Sequence, residues 1–195
     1  HHRVKNNLQV IISLLELQIE GLEQPELNEV YHAMCKRVYS MAAIHEILYQ
    51  QKDMSKLDFG QYVDKLCAHF GQLSNDIKPP IFQIDLKNLY FNLETSMPLG
   101  ILLTELLTNS FKYAKVPNQQ LIIGISIEPV AASYCLHFRD NGPGFSSGEL
   151  RERKRGLGSY LLSSMSRQLN GRMESKNDGG AVFAIYFKER RTSKL

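Results

Sequence analysis

Glu105, Asn109 and Lys112, in the segment TELLTNSFKYA, are spaced by four residues and then three. That spacing places them on one face of a helix. Leu99, Leu102, Leu103 and Leu106 fall on another face of the same segment. A carboxylate, a carboxamide and a cation on one stripe suit a magnesium-bound polyphosphate. Magnesium takes hard oxygen ligands and keeps several waters, so an amide oxygen and phosphate oxygens complete its shell. A lysine holds a phosphate as a point charge. Alone, the stripe fits a plain amphipathic helix equally well.

Three glycine-bearing stretches follow. RDNGPGF contains Asp140, Gly142 and Gly144 and comes straight after the strand-like run YCLHF. It must turn; two glycines let a backbone approach a ligand closely, and Asp140 can accept a hydrogen bond from an exocyclic amine such as that of adenine. In RGLGSYLL, Gly156, Leu157 and Gly158 precede a helix, whose free N–H groups favour phosphate. Gly179 and Gly180 precede the last apolar run. Taken singly, each is weak.

The chain opens with HHRVKNNLQV. Adjacent histidines diverge by about 100° on a helix, which argues against a shared metal. Val4, Leu8, Ile11, Leu15 and Leu22 form an apolar stripe that extends back to His1. His2 falls on the polar face with Lys5, Asn6, Gln9, Ser13 and Glu16. His1 is therefore expected in the seam, and His2 is the imidazole available for chemistry.

These groups need elements to carry them. Residues 1–22 read as a helix, stopped by Gly21 and followed by Pro25, which opens the next. Leu27, Tyr31, Met34, Val38, Met41, His45 and Leu48 then alternate at gaps of four and three, a heptad seam. Two such helices form an antiparallel hairpin, and pairing two hairpins into a dimeric four-helix bundle covers their apolar stripes. Phe59, Tyr62, Val63, Leu66 and Phe70 mark a further helix over residues 58–72. After the loop NDIKPP the pattern alternates strands (IFQIDL, QLIIGISIE, YCLHFRD, GRMESKN, AVFAIYFKE) with helices (MPLGILLTELLTNSFKYA, GLGSYLLSSMSRQLN). An all-α unit over residues 1–72 and an α/β unit over residues 73–195 are expected.

Composition is that of a soluble globular protein, with 43% hydrophobic and 22% charged residues over 195 positions. A net charge of +3 is too mild to imply nucleic acid; RERKR at 151–155 is the one dense basic run. Cys35, Cys67 and Cys135 are far apart and form no CxxC. Reduced thiols in a cytoplasmic compartment are expected. No apolar run is long enough to span a membrane. The opening inside a helix implies a piece of a longer protein, with a sensor domain upstream that could carry an anchor.

In order and on these elements, the four C-terminal segments resemble the N, G1 and G2 boxes and the last glycine turn of the GHKL ATPases. The resemblance covers roughly residues 81–189 and implies a Bergerat α/β sandwich binding ATP and Mg2+. It implies that Asn109 holds the metal, that Asp140 reads adenine, and that Gly142, Gly144, Gly156 and Gly158 shape a lid. Glu105, Lys112, Tyr113, Leu157 and Gly180 fall within the same boxes, Glu105 in the catalytic set. The N-terminal stretches HHRVKNNLQVIISLLELQ and RVYSMAAIHEILYQQKDMSKLDFGQYV resemble sensor histidine kinases of the HisKA_2 type. That likeness implies autophosphorylation of His2 and phosphotransfer to an aspartate of a response-regulator receiver domain. Arg3 stands where many histidine kinases carry an acidic base, which leaves Glu46 as a weak candidate. The rivals are a GHKL ATPase using nucleotide as a conformational clamp, and a dimeric scaffold with a dead site. The HHRVKNN helix speaks against the first, and the intact Asn109, Asp140 and glycines against the second.

Overall fold

The computed structural model describes residues 2–19, 25–50, 55–74, 78–145 and 157–190. Helix α1 (His2–Ile19) and helix α2 (Pro25–Gln50) form the hairpin. Pro25 is the first residue of α2, where a missing N–H is harmless because that donor has no intrahelical partner. On α1 the side facing α2 is set by Leu8, Ile12 and Leu15, of which Ile12 is buried. The expected stripe named Ile11, which is 44% exposed along with Val10, Leu14 and Leu17. Leu8 and Leu15 keep their places in the expected stripe and Ile12 takes that of Ile11, because α1 carries two apolar rows and α2 takes only one of them.

Helix α2 also divides its duties. Leu27, Val30 and Met34 stay exposed in its first half. In its second half Ser40, Ala43, Ile44, Ile47 and Leu48 are buried, because that half packs on helix α4 (Leu93–Tyr113) and helix α3 (Phe59–Gln72). His45 is half-buried. Among the described residues its Nδ1 has no hydrogen-bond partner, and burial lowers its pKa below the usual histidine value.

Two short strands that the sequence pattern did not mark, β1 (Leu57–Asp58) and β3 (Tyr90–Phe91), pair antiparallel at the foot of α3. Asp58 caps α3 by accepting a hydrogen bond from Gln61 N at 3.1 Å. Phe59 then packs edge-on against Phe91, with centroids 5.6 Å apart. At the other end of α3, Phe70 meets Phe111 of α4 at 5.4 Å.

The main sheet contains β2 (Ile81–Asp85), β4 (Ile122–Val130), β5 (Ser133–Asp140), β6 (Arg172–Asn177) and β7 (Ala181–Phe187), in the order β2-β4-β5-β7-β6. The β2–β4 pair is parallel, bridged by α4, and the others are antiparallel. Strand alternation decides which face is covered. Ala181, Phe183, Ile185 and Phe187 point inward, as do Ile123, Ile125 and Ile127. They meet α3, α4 and helix α5 (Leu157–Gln168) in one hydrophobic core that also takes in Ile44 and Ile47 of α2. The result is the expected two-layer α/β sandwich behind a helical hairpin.

Helix α4 starts earlier than expected, at Leu93 rather than Met97. Asn92 caps it, accepting from Thr95 N at 2.9 Å. Pro98 is the sixth residue of α4, beyond the free N–H groups of the first turn, so the bond it would donate to the Glu94 carbonyl is lost. The Asn92 amide donates to the Arg190 carbonyl, and Arg190 N donates to Thr95 Oγ1. The segment after β7 is thus sewn to the start of α4. Among the described residues no helix is long and apolar enough to cross a membrane.

A small buried polar cluster fastens the three helices. The Ser40 hydroxyl of α2 and the Tyr62 hydroxyl of α3 lie 2.7 Å apart. Thr104 of α4 is also hydrogen-bonded to Tyr62, and burial pushes the tyrosine pKa well up. Gly100 leaves room for this: a Cβ there would lie 2.6 Å from the Tyr62 hydroxyl and 2.7 Å from Ile44 Cδ1. Gly100→Ala should therefore destabilise the protein by about 1–3 kcal/mol through overpacking. Urea unfolding measures this, and a stability equal to the parent's would contradict close packing of α2 on α4.

Candidate functional site

Asp140 is the last residue of β5, and its carboxylate is buried. Oδ1 accepts from Gly142 N and from Ala181 N, each at 3.1 Å. Oδ2 accepts from the Ser110 hydroxyl at 2.7 Å. A carboxylate offers about four acceptor positions, so the described donors leave Oδ2 able to take one more. Asp140 lines a pocket together with Asn109, Tyr113, Gly144, Phe145 and Phe183.

Close backbone approach builds the floor. A Cβ on Gly142 would lie 2.4 Å from Ala114 Cα, so the turn after β5 packs directly on the end of α4. Gly180 has φ +141, and a Cβ there would meet the Asp140 carbonyl at 1.9 Å. Only glycine lets the β6–β7 turn back onto Asp140 in this way. Asn141 ties the same turn to β4: its Oδ1 accepts from Ile122 N at 2.8 Å and its amide donates to Gln120 O at 2.9 Å.

The other expected site residues distribute as follows. Asn109 is half-buried and Tyr113 is 43% exposed, both on the pocket wall. Lys112 is exposed, with its ammonium 5.4 Å from the Tyr113 ring centroid. Glu105 lies one turn back from Asn109, outside the pocket, and is buried. It accepts from Arg37 Nε of α2 at 2.5 Å. Its other oxygen sits against α5, 3.0 Å from where a Gly158 Cβ would be. Leu157 opens α5. Gly156 and the basic run 151–155 lie outside the described residues, as do the side chains of His1 and His2. His2 itself is the first residue of α1. Glu46, the candidate base, is paired with Lys65 of α3 at 2.6 Å.

Ser110, Asn141 and Arg37 were not singled out from sequence. Ser110 and Asn141 stand inside the quoted motifs, next to Asn109 and Asp140, but their bonds cross 30 and about 20 positions of chain. Arg37 had no local signal: its partner is 68 positions away.

A buried carboxylate, glycine turns packed against it and a carboxamide-bearing helix beside it thus surround one pocket. Residues 94–191 match the family described as "Histidine kinase-, DNA gyrase B-, and HSP90-like ATPase", and residues 1–74 match the HisKA_2 histidine kinase family. The chain belongs to this histidine kinase-like ATPase family. The sensor histidine kinase PdtaS of Mycolicibacterium smegmatis is 28% identical over 174 residues, covering 88% of this chain and 34% of that protein. The chain thus spans about a third of the length of the curated relatives it matches. Among solved structures, the histidine kinase domain of the Erythrobacter litoralis EL346 blue-light activated histidine kinase superposes with a TM-score of 0.70 at 18% identity, covering 96% of this chain and 88% of that one. The ATP binding domain of PrrB from Mycobacterium tuberculosis gives 0.56 at 17% identity, covering 70% and 97%.

The Arg37–Glu105 pair joins the hairpin to the site-bearing helix with both side chains largely buried. Removing one partner of such a pair leaves an uncompensated buried charge. Arg37→Met should cost about 3–5 kcal/mol, and adding Glu105→Leu should recover most of it. Denaturant unfolding of the single and double variants checks this; additive losses would show that the two side chains do not depend on each other.

Proposed function

We propose that this chain is the ATP-binding and phosphoacceptor core of a sensor histidine kinase. Residues 1–72 serve as the dimerisation and phosphoacceptor unit and residues 73–195 as the catalytic unit. The observation that carries the reading is the Asp140 carboxylate, buried at the pocket floor with acceptor capacity remaining on Oδ2, in one chain with the HHRVKNN helix.

In this reading the adenine amine donates to Asp140 Oδ2, and Phe145, Phe183 and Tyr113 flank the base. Asn109 and Asp140 line one pocket, and in this reading the amide oxygen of Asn109 would hold a magnesium ion against the phosphates. Magnesium there supplies charge neutralisation of the phosphate oxygens. Lys112, exposed one turn beyond Asn109, reaches phosphate as a point charge. The N-terminus of α5 at Leu157 and Gly158 favours the same negative charge. A neutral imidazole nitrogen of His2 attacks the γ-phosphorus in line. The bond to the bridging oxygen breaks, ADP leaves, and the imidazolium proton passes to solvent or a base. Positioning and charge stabilisation account for most of the rate. The phosphoryl group then passes to an aspartate of a response-regulator receiver domain.

The dimer follows from the unused apolar row. Val10, Leu14 and Leu17 of α1 and Leu27, Val30 and Met34 of α2 are exposed, more apolar surface on one hairpin than a monomer ordinarily leaves in water. A second copy covers it as a four-helix bundle.

Incubation with γ-labelled ATP should give an acid-labile, base-stable label that His2→Gln abolishes while calorimetry shows unchanged ATP binding. Asn109→Ala and Asp140→Ala should lose binding altogether. A surviving label in the His2 variant would remove it as acceptor, and parent-like binding by the other two would remove the pocket as the ATP site. Light scattering should report a dimer; a folded monomer at high concentration would contradict the bundle.

A further inference from the structure

Asn177 is the last residue of β6 and is exposed, 32 positions along the chain from Phe145. Its carboxamide nevertheless makes a two-point contact with the pocket wall. Phe145 N donates to Asn177 Oδ1 at 2.8 Å, and Asn177 Nδ2 donates to Phe145 O at 2.8 Å. One amide thus satisfies both backbone groups of a single residue, as a neighbouring strand would.

Two further observations give the contact a purpose. Gly144 has φ +74, and a Cβ on it would lie 2.6 Å from Asn177 Oδ1. Any side chain at 144 would expel the amide, so the glycine and the asparagine are parts of one joint. The Phe145 ring meets Phe183 of β7 edge-on, with centroids 5.3 Å apart and planes at 78°. Gly144, Phe145 and Phe183 all line the pocket that Asp140 floors. Among the described residues no strand pairs with 141–145: β5 ends at Asp140. Asn141 holds the start of the turn and Asn177 holds its end.

We propose that Asn177 is a positioning residue for nucleotide binding, whose side-chain amide pins the Phe145 peptide and so holds the Phe145 ring as a pre-formed wall of the base pocket. This rests on the reading of that pocket as the ATP site. Without the amide, the wall samples other positions and binding must order it again, which weakens affinity without removing any contact to the ligand itself. Asn177 is exposed, and each bond joins partly hydrated groups, so the fold does not depend on it.

Calorimetric titration of the whole chain with magnesium-ATP, alongside thermal melting, tests this on the parent, Asn177→Ala, Asn177→Asp and Asp140→Ala. Asn177→Ala should bind about tenfold more weakly, equivalent to about 1.4 kcal/mol, with an unchanged melting temperature. Asn177→Asp should be no better than alanine: it keeps the shape and the acceptor but sets a carboxylate against the Phe145 carbonyl. Aspartate binding like the parent would show that bulk, not the amide, matters, and would overturn the proposal. So would alanine binding within twofold of the parent, or a melting temperature that falls together with affinity. A parent that binds no nucleotide, indistinguishable from Asp140→Ala, would instead overturn the pocket reading, and this proposal with it.

Discussion

Helix α4 must satisfy four neighbours at once, and most of the architecture follows from that constraint. From Thr95 to Ser110 nearly every side chain is buried or half-buried. Leucines 102, 103, 106 and 107 cannot all face one layer, because consecutive residues on a helix diverge by about 100°. The sheet shares its core with one side, and α3 and α2 cover a second and α5 a third. A helix buried all round has no free face on which to slide. It is therefore a rigid base on which Asn109 and Ser110 can be held opposite Asp140. The pocket sits at its C-terminal end, where the neighbours run out and Lys112 and Tyr113 emerge into solvent.

The same constraint explains why the hairpin and the α/β layer share a core. The side of α4 that carries Gly100 and Thr104 would be bare if α2 were absent. Ile44, Ile47 and the Ser40–Tyr62 contact fill it. One turn further along, the contact changes character, and Arg37 reaches Glu105 through a buried ion pair. Lys36 lies close enough that Glu105 counteracts the fall in its pKa caused by burial. The carboxylate thus stands in the field of two cations of the hairpin while touching the start of α5. Any movement of α2 relative to α4 must first release it.

Elements were legible in the sequence wherever a period governs burial. The alternation in AVFAIYF gives β7 with every second residue inward, and the spacing of Phe59, Tyr62, Val63 and Leu66 gives α3. The same periodicity named Ile11 in the α1 seam where Ile12 is buried, since Leu8 begins two valid rows, one through Ile11 and one through Ile12. Only tertiary contact chooses between them. The strands β1 and β3 are two residues each, too short for a period to exist. Asp140 and Asn109, which line the pocket, stood out within their motifs because their chemistry is unusual at those positions. Arg37 was not, since an arginine on an amphipathic helix is ordinary until the far partner is known.

The two asparagines around the Asp140 turn show how a fold makes a rigid loop without strands. Residues 141–145 bend too sharply to join the sheet, which leaves backbone donors and acceptors that need partners. Asn141 turns its side chain back to Ile122 and Gln120, and Asn177 reaches forward to Phe145. Each carboxamide has the donor and acceptor of a peptide without the chain attached to it, so it can complete a ladder that no strand can reach. Glutamine is a methylene too long for that geometry, and aspartate lacks the donor. Between the two, Gly142 lies against Ala114 and Gly144 admits the second amide. The rigidity of the pocket wall therefore comes from side chains that imitate backbone, and a composition reading that counts such asparagines only as turn formers misses it.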